Sequence, residues 1–231
     1  MRNLNYLILY LRVQRYENFL TCTTVIARNF IVVLVNEKKN GYSFCVSSIL
    51  PYLCSRIIAM MMMTTTLYLV RHGETVDNAR SVMQGQTQGE LNGTGIEQAR
   101  EVARKMAHEP IDAFVSSDLR RSLHTAQIIA APHGMTVTTT PLLRERDWGD
   151  FTGRYIPDLK GLPFPENVES MEQLLERASR FLDFIRSNYA GKKVLAVGHG
   201  IINKAIQAVY YKKSTREIER MMNAEVRVLE L

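Results

Sequence analysis

From residue 67 onward, apolar positions fall into two rhythms that take turns. Leu67-Tyr68-Leu69-Val70 is an unbroken apolar run of buried-strand length that stops at a glycine turn, His72-Gly73. Residues 94–106 switch to helical spacing, with Ile96, Ala99, Val102, Ala103 and Met106 on one face and Thr94 with Glu97 reading as a capping box. The same reading predicts a buried strand over 111–115, a helix over 119–131 with Leu123, Ala126 and Ala130 inward, and a β-branched strand over 136–139. Residues 142–165 break the rhythm, because Pro157, Pro163 and Pro165 with Gly149, Gly153 and Gly161 predict a loop-rich stretch. A long helix follows over 168–187, burying Met171, Leu174, Leu175, Ala178, Phe181, Leu182 and Ile185. Residues 193–197 form another core strand, again stopped by glycine at Gly198-His199-Gly200. Helical residues to 222 and a strand over 226–229 close the chain. Strands alternating with helices predict an α/β domain.

Residues 1–66 follow neither rhythm. This leader holds seven basic residues against Glu17 and Glu37, which leaves 22 basic and 21 acidic residues in 67–231. The net charge of +6 is therefore a property of the leader, and nothing in the body predicts a groove for nucleic acid. Cys22, Cys45 and Cys54 also lie in the leader, at spacings that match no zinc site and no redox pair. The cysteine-free body fits a cytoplasmic enzyme. A membrane anchor is disfavoured: the 4–11 run is a poor secretory core, 31–35 is too short to span, and 42–63 carries Pro51 and Arg56. Met60-Met61-Met62-Met63 stands directly ahead of the first strand, so the leader reads as a start-site artefact outside the fold. Recovery of a tryptic peptide from 1–59 of the native protein sinks that expectation.

Two histidines stand apart by position. His72 and His199 each sit where a strand ends in a glycine turn, the edge of a parallel sheet where α/β sites are built, and Arg71 precedes the first. His108, His124 and His133 fall within or at the ends of helices and read as structural.

Leu69-Val70-Arg71-His72-Gly73-Glu74-Thr75, with Asn78 after it, resembles the N-terminal signature of the histidine phosphatase superfamily, the phosphoglycerate-mutase-like fold. Four more segments resemble that family's motifs in the same order. They are Gln84-Gly85 leading to Leu91, Gly95, Gln98 and Ala99; Ser116-Ser117-Asp118-Leu119 with Arg121, Thr125 and Ala126; Leu143-Arg144-Glu145 with Trp148, Gly149 and Gly153; and Val197-Gly198-His199-Gly200. The resemblance covers 67–231 and none of the leader. It implies a three-layer α/β/α sandwich around a mostly parallel sheet.

It also implies roles. His72 is the nucleophile that takes the phosphoryl group, splitting a very slow hydrolysis into two easier steps. Arg71 and Arg121 are forked donors to phosphoryl oxygens and keep His72 unprotonated. His199, cationic once phosphate is bound, completes the clamp. Asn78, Gln84, Gly85 and Gly200 contribute to substrate binding. Glu145 is the general acid and then the base, with a carboxyl expected to be biased towards protonation, which predicts faster turnover in mildly acid solution. Glu74 is the runner-up acid.

The implied partner is a small phosphorylated metabolite, with no cofactor. A metal site built from His72, His199, Glu74 and Glu145 is disfavoured because two arginines beside the first histidine repel a divalent cation. No phosphate-binding loop of the nucleotide-dependent kinases is present. Departures from the family pattern fall at Gln88, Glu90, Ser122 and Lys204, and are expected to bear on specificity. The stretch between the acid loop and the long helix is short, which favours a phosphatase over a mutase. A non-catalytic binder of phosphorylated ligands is the other alternative, and oligomeric state is left open.

Overall fold

The computed structural model describes residues 64–231 in full, together with the backbone of Leu7–Ile8, Cys22–Ala27, Phe30–Glu37 and Gly41–Cys45. Those four segments, β1 to β4, pair in sequence order as an antiparallel sheet. Most of the membrane candidate over 42–63 lies outside the described residues. Among the described residues no helix is long and apolar enough to cross a membrane.

The apolar run at 67 becomes β5 (Thr66–Arg71), buried on both faces as an unbroken run requires. Its neighbours are β6 (Ala113–Ser116), β7 (Val137–Thr139), β8 (Lys193–Gly198) and β9 (Val226–Glu230), in the order β7-β6-β8-β5-β9. β5, β6, β7 and β8 run parallel, and β9 closes the edge antiparallel to β5. The period of two sorts the side chains into layers. Leu67, Leu69, Val194 and Ala196 face a core that includes Leu174, Phe181, Ile185, Ile202 and Ile206. Val70, Leu195 and Val197 face Val102, Met106, Ala126 and Ile129 on the other side. The first layer belongs to α4 (Met171–Asn188) and α5 (Gly200–Tyr211), the second to α2 (Gly93–Met106) and α3 (Arg120–Ala130). This is the expected three-layer α/β fold.

Several element ends differ from expectation, each for a local reason. α2 is capped by Asn92, whose side chain accepts from the Gly95 amide, so Thr94 lies inside the helix and is not its cap. α4 starts at Met171 because Ser170 and Gln173 form the capping box, which leaves Val168 in the preceding turn and Met171 exposed. α5 stops at Tyr211, where Lys212 turns left-handed with φ 54°, so the helix expected to reach 222 gives way to a short 3-10 turn and loop. In α3 the buried stripe is partly polar: Arg121, Ser122 and Thr125 lie inward with Ala126 and Ile129, and Leu123 is only half-buried.

Candidate active site

Parallel strands β5 and β8 are neighbours, so the residues just past their C-terminal ends meet. The His72 amide donates to the Gly198 carbonyl at 3.1 Å, and the rings of His72 and His199 stand edge to face with centroids 4.9 Å apart. β5 and β6 flank β8, and the crevice above their ends is where an open α/β sheet holds its ligand. A cavity of about 210 Å³ opens there, lined by Arg71, His72, Asn78, Gln84, Gly85, Arg121, Glu145 and Gly200 among others. Gly73 lets this floor pack tightly: a Cβ on it would run into the Gly95 carbonyl, and one on Gly95 would run into the Glu74 backbone.

The His72 ring is held by one hydrogen bond, Nδ1 to the Gly73 carbonyl at 2.7 Å. A carbonyl only accepts, so Nδ1 carries the proton and Nε2 keeps its lone pair. Burial pushes the His72 pKa well below the ordinary value of 6.5, and the Arg121 and Arg71 charges add to this, while the Gly73 carbonyl pulls the other way. His199 is lowered in the same direction, first by burial and then by Arg121, His72, Arg71 and Arg177. Both histidines are therefore neutral at pH 7 in the ligand-free site.

Both arginines are buried, and burial lowers each to about 10, with Arg220 adding to the effect at Arg71. Their terminal nitrogens are less free than the sequence suggests. Arg71 Nη1 donates to the Met221 carbonyl at 2.7 Å. Arg121 donates to the carbonyls of Thr87 at 2.5 Å and Gly85 at 2.8 Å, so the loop bearing Gln84 and Gly85 is wrapped around it. Arg71 Nε, Arg121 Nε and both ring nitrogens of His199 are buried with no hydrogen-bond partner. Unsatisfied buried groups are rare, and the two arginine Nε–H donors beside the cavity suit an oxyanion.

Asn78 uses its side-chain oxygen to cap α1 (Val76–Ala79), accepting from the Thr75 amide, and its nitrogen has no acceptor among the described residues. Gln84 lines the cavity, but its amide nitrogen is taken by Thr75 Oγ1 at 2.7 Å, so the expected donor is engaged elsewhere. Glu74 is turned away to Asn92, with Oε1 accepting at 2.6 Å, and is not in the cavity lining. Glu145 is seated on the N-terminus of α5. Its Oε1 accepts from the amides of Arg146 at 2.9 Å, Ile201 at 3.1 Å and Ile202 at 3.2 Å. Helix N-termini suit anions, and this seat holds the Glu145 carboxyl at the edge of the cavity. Among the described residues no group of three or more His, Cys, Asp or Glu side chains is disposed to hold a metal ion.

Three of the four departures from the family pattern serve the scaffold. Ser122 Oγ donates to the Val197 carbonyl at 2.8 Å and pairs with Ser116 Oγ. Gln88 Oε1 accepts from the first amide of α3, and Glu90 pairs with Arg120 at 2.7 Å. Arg177 went unremarked in the sequence. It grips Glu169 through Nε at 2.9 Å and Nη2 at 2.7 Å, and donates to the carbonyls of Leu142, Arg144 and Glu145, so it fixes the acid loop from behind. Its signal was an arginine one turn from Leu174 and Phe181 on an otherwise apolar stripe. Asn223, which donates to the His72 carbonyl at 3.0 Å, carried no signal at all.

Known proteins are similar to this chain in sequence and fold. Phosphoglycerate mutase-like protein 4 of Arabidopsis thaliana is 34% identical over 184 residues, covering 71% of this chain and 79% of its own. A mycobacterial glucosyl-3-phosphoglycerate phosphatase solved with VO3 superposes with TM-score 0.65 at 27% identity, over 71% of this chain and 90% of that one. A phosphoserine phosphatase from Entamoeba histolytica, in complex with 3-phosphoglyceric acid, gives TM-score 0.63 at 28% identity, over 71% and 89%. The family model described as histidine phosphatase superfamily (branch 1) matches residues 67–231, and the chain belongs to that superfamily.

Proposed function

We propose that residues 67–231 form a phosphomonoester hydrolase that acts on a small phosphorylated metabolite through a phosphohistidine on His72, with the leader outside the catalytic unit and a cytoplasmic site of action. The observation that carries this reading is the state of the His72 ring. Nδ1 is committed to the Gly73 carbonyl and the pKa is held low, so Nε2 is an unprotonated nucleophile close to two buried guanidiniums whose Nε atoms lack partners.

Nε2 attacks phosphorus in line. The bond from phosphorus to the leaving oxygen breaks, and that oxygen takes a proton from Glu145. Arg71 and Arg121 stabilise the equatorial oxygens. Glu145, now a carboxylate, takes a proton from water; the water oxygen attacks phosphorus, the P–N bond breaks, and orthophosphate leaves. The phosphoryl dianion makes His199 the group to take up a proton on binding.

Two relatives named for phosphatase activity, with phosphoglycerate-type compounds in their names, support the substrate class. The short stretch 150–165 supports hydrolysis over transfer. Its residues 153–156 are joined to residues 81–83, where Val82 bridges Tyr155 and the Met83 amide donates to the Arg154 carbonyl at 2.9 Å. Release of orthophosphate in step with alcohol distinguishes a hydrolase from a mutase, which returns the phosphoryl group to an acceptor.

His72→Ala is expected to abolish turnover of p-nitrophenyl phosphate and the acid-labile, base-stable phosphoenzyme seen after rapid quench. Persistence of either in that variant overturns the assignment. Glu145→Gln is expected to slow phosphoenzyme formation from aliphatic phosphates by about 10²-fold or more while sparing the rapid-quench burst of p-nitrophenol from p-nitrophenyl phosphate, whose leaving group needs little protonation. An equal loss in phosphoenzyme formation from both substrates removes Glu145 as the proton donor.

A further inference from the structure

Trp148 and Ile201, which line the reaction pocket, also line a second cavity of about 150 Å³. The other residues around it are Arg146, Lys204, Arg216, Met171 and Thr215, so three cations and no carboxylate form its walls. Arg146 is the buried member, 7% exposed. Its Nε donates to the Glu169 carbonyl at 2.8 Å, and its guanidinium lies 4.6 Å from the Trp148 ring centroid and 5.1 Å from that of Phe164. Among the described residues its terminal nitrogens have no hydrogen-bond acceptor, and neither Lys204 nor Arg216 pairs with a carboxylate. Glu169 and Glu145 offset the Arg146 charge only from outside the cavity. Gathering like charges around a concavity and partly desolvating one of them is unfavourable unless an anion joins them. Lys204 is also the one departure from the family pattern that the scaffold does not use.

We propose that this cavity is an anion subsite that takes a phosphate or carboxylate group, with Lys204 and Arg216 reaching the anion from the rim and Arg146, held against Trp148, presenting its free edge from the floor. Contact with Trp148 and Ile201 ties the subsite to the reaction pocket. The second anionic group of a doubly charged phosphomonoester is therefore its occupant, and a free oxyanion is the alternative source of the same chemistry. The substrate part of this inference rests on the hydrolase reading; the binding part does not.

The test compares the full chain with Lys204→Met, Arg216→Met and their double variant. Hydrolysis of p-nitrophenyl phosphate, which has one anionic group, is set against 3-phosphoglycerate and a hexose bisphosphate, which have two. Radiolabelled orthophosphate binding is counted by equilibrium dialysis, and thermal melts check the fold. The double variant is expected to raise KM for the favoured two-anion ester by about tenfold, the scale of one charged hydrogen bond. It should leave p-nitrophenyl phosphate turnover unchanged and lose one of two bound orthophosphates. Lys204→Arg should restore the low KM. Loss of one orthophosphate with no change in any KM supports the subsite and assigns it to a free oxyanion. Binding of a single orthophosphate by the unaltered chain, with no substrate-selective change in the variants, overturns the proposal. If the unaltered chain hydrolyses none of the esters, the hydrolase reading fails, and the dialysis count still decides the subsite.

Discussion

His72 and His199 hold an unfavourable position for bases: they are buried beside two guanidiniums, and their pKa values are pushed below 6.5. In the unfolded chain each titrates near its ordinary value, so below about pH 6.5 the unfolded state binds protons that the folded state does not. A depressed folded pKa gives stability that is complete above the unfolded value and is lost as pH falls towards the folded one. Each histidine therefore subtracts up to ~1.4 kcal/mol of stability per pH unit in that window. Melting temperatures taken between about pH 7 and about pH 5 should fall, and His199→Asn should flatten the slope. An unchanged slope in that variant would mean His199 already binds its proton in the folded state. Orthophosphate reverses the local field, so its binding near pH 7 should take up protons. Calorimetry in buffers of different ionisation enthalpy reads this directly.

Single contacts acquire consequences through the elements that carry them. Arg177 projects from α4, yet its partners are the acid-loop carbonyls and Glu169, and both members of this ion pair keep only 15% and 14% of their side chains exposed. Arg177→Met leaves a buried carboxylate unpaired, at a cost of about 3 kcal/mol. It should also slow substrates with poor leaving groups more than p-nitrophenyl phosphate, because it loosens the backbone that aims Glu145. An even loss on all substrates would assign Arg177 to folding alone. At the start of α2, Gly95→Ala collides with the Glu74 backbone and should cost about 1–3 kcal/mol by displacing the nucleophile loop, measurable by urea titration.

Across the whole molecule the site draws on widely separated stretches: 71–78, 84–90, 121, 145 and 199, with Met221 and Asn223 supporting from the loop before β9. A phosphate-site ligand should therefore stabilise the described domain as a unit. Orthophosphate or vanadate at about 100 times its Kd should raise unfolding stability by about 2.7 kcal/mol in a single cooperative transition. A split transition with only one part shifting would show that the ligand ties down a local segment.

Much of this was legible in the chain itself, wherever a residue's role depends on its immediate neighbours. Unbroken apolar runs mark strands buried on both faces, as in β5 and β8, because a sheet between two helical layers has no polar face. Histidines at glycine turns just past strand ends lie on one edge of a parallel sheet, which made His72 and His199 visible early. Helix ends were less legible, since Asn92 and Ser170 won the caps through hydrogen bonds that periodicity does not encode. Only the tertiary structure decided which donors are free. Arg121 is spent largely on the carbonyls of Gly85 and Thr87, Gln84 on Thr75, and Glu145 on the α5 N-terminus, while Arg71 Nε, Arg121 Nε and the His199 nitrogens are left open. Hydrogen bonds between segments tens of residues apart are set by packing, and spacing along a chain carries no record of them. The same reason hid Arg177 behind the acid loop and gathered Arg146, Lys204 and Arg216 around one cavity.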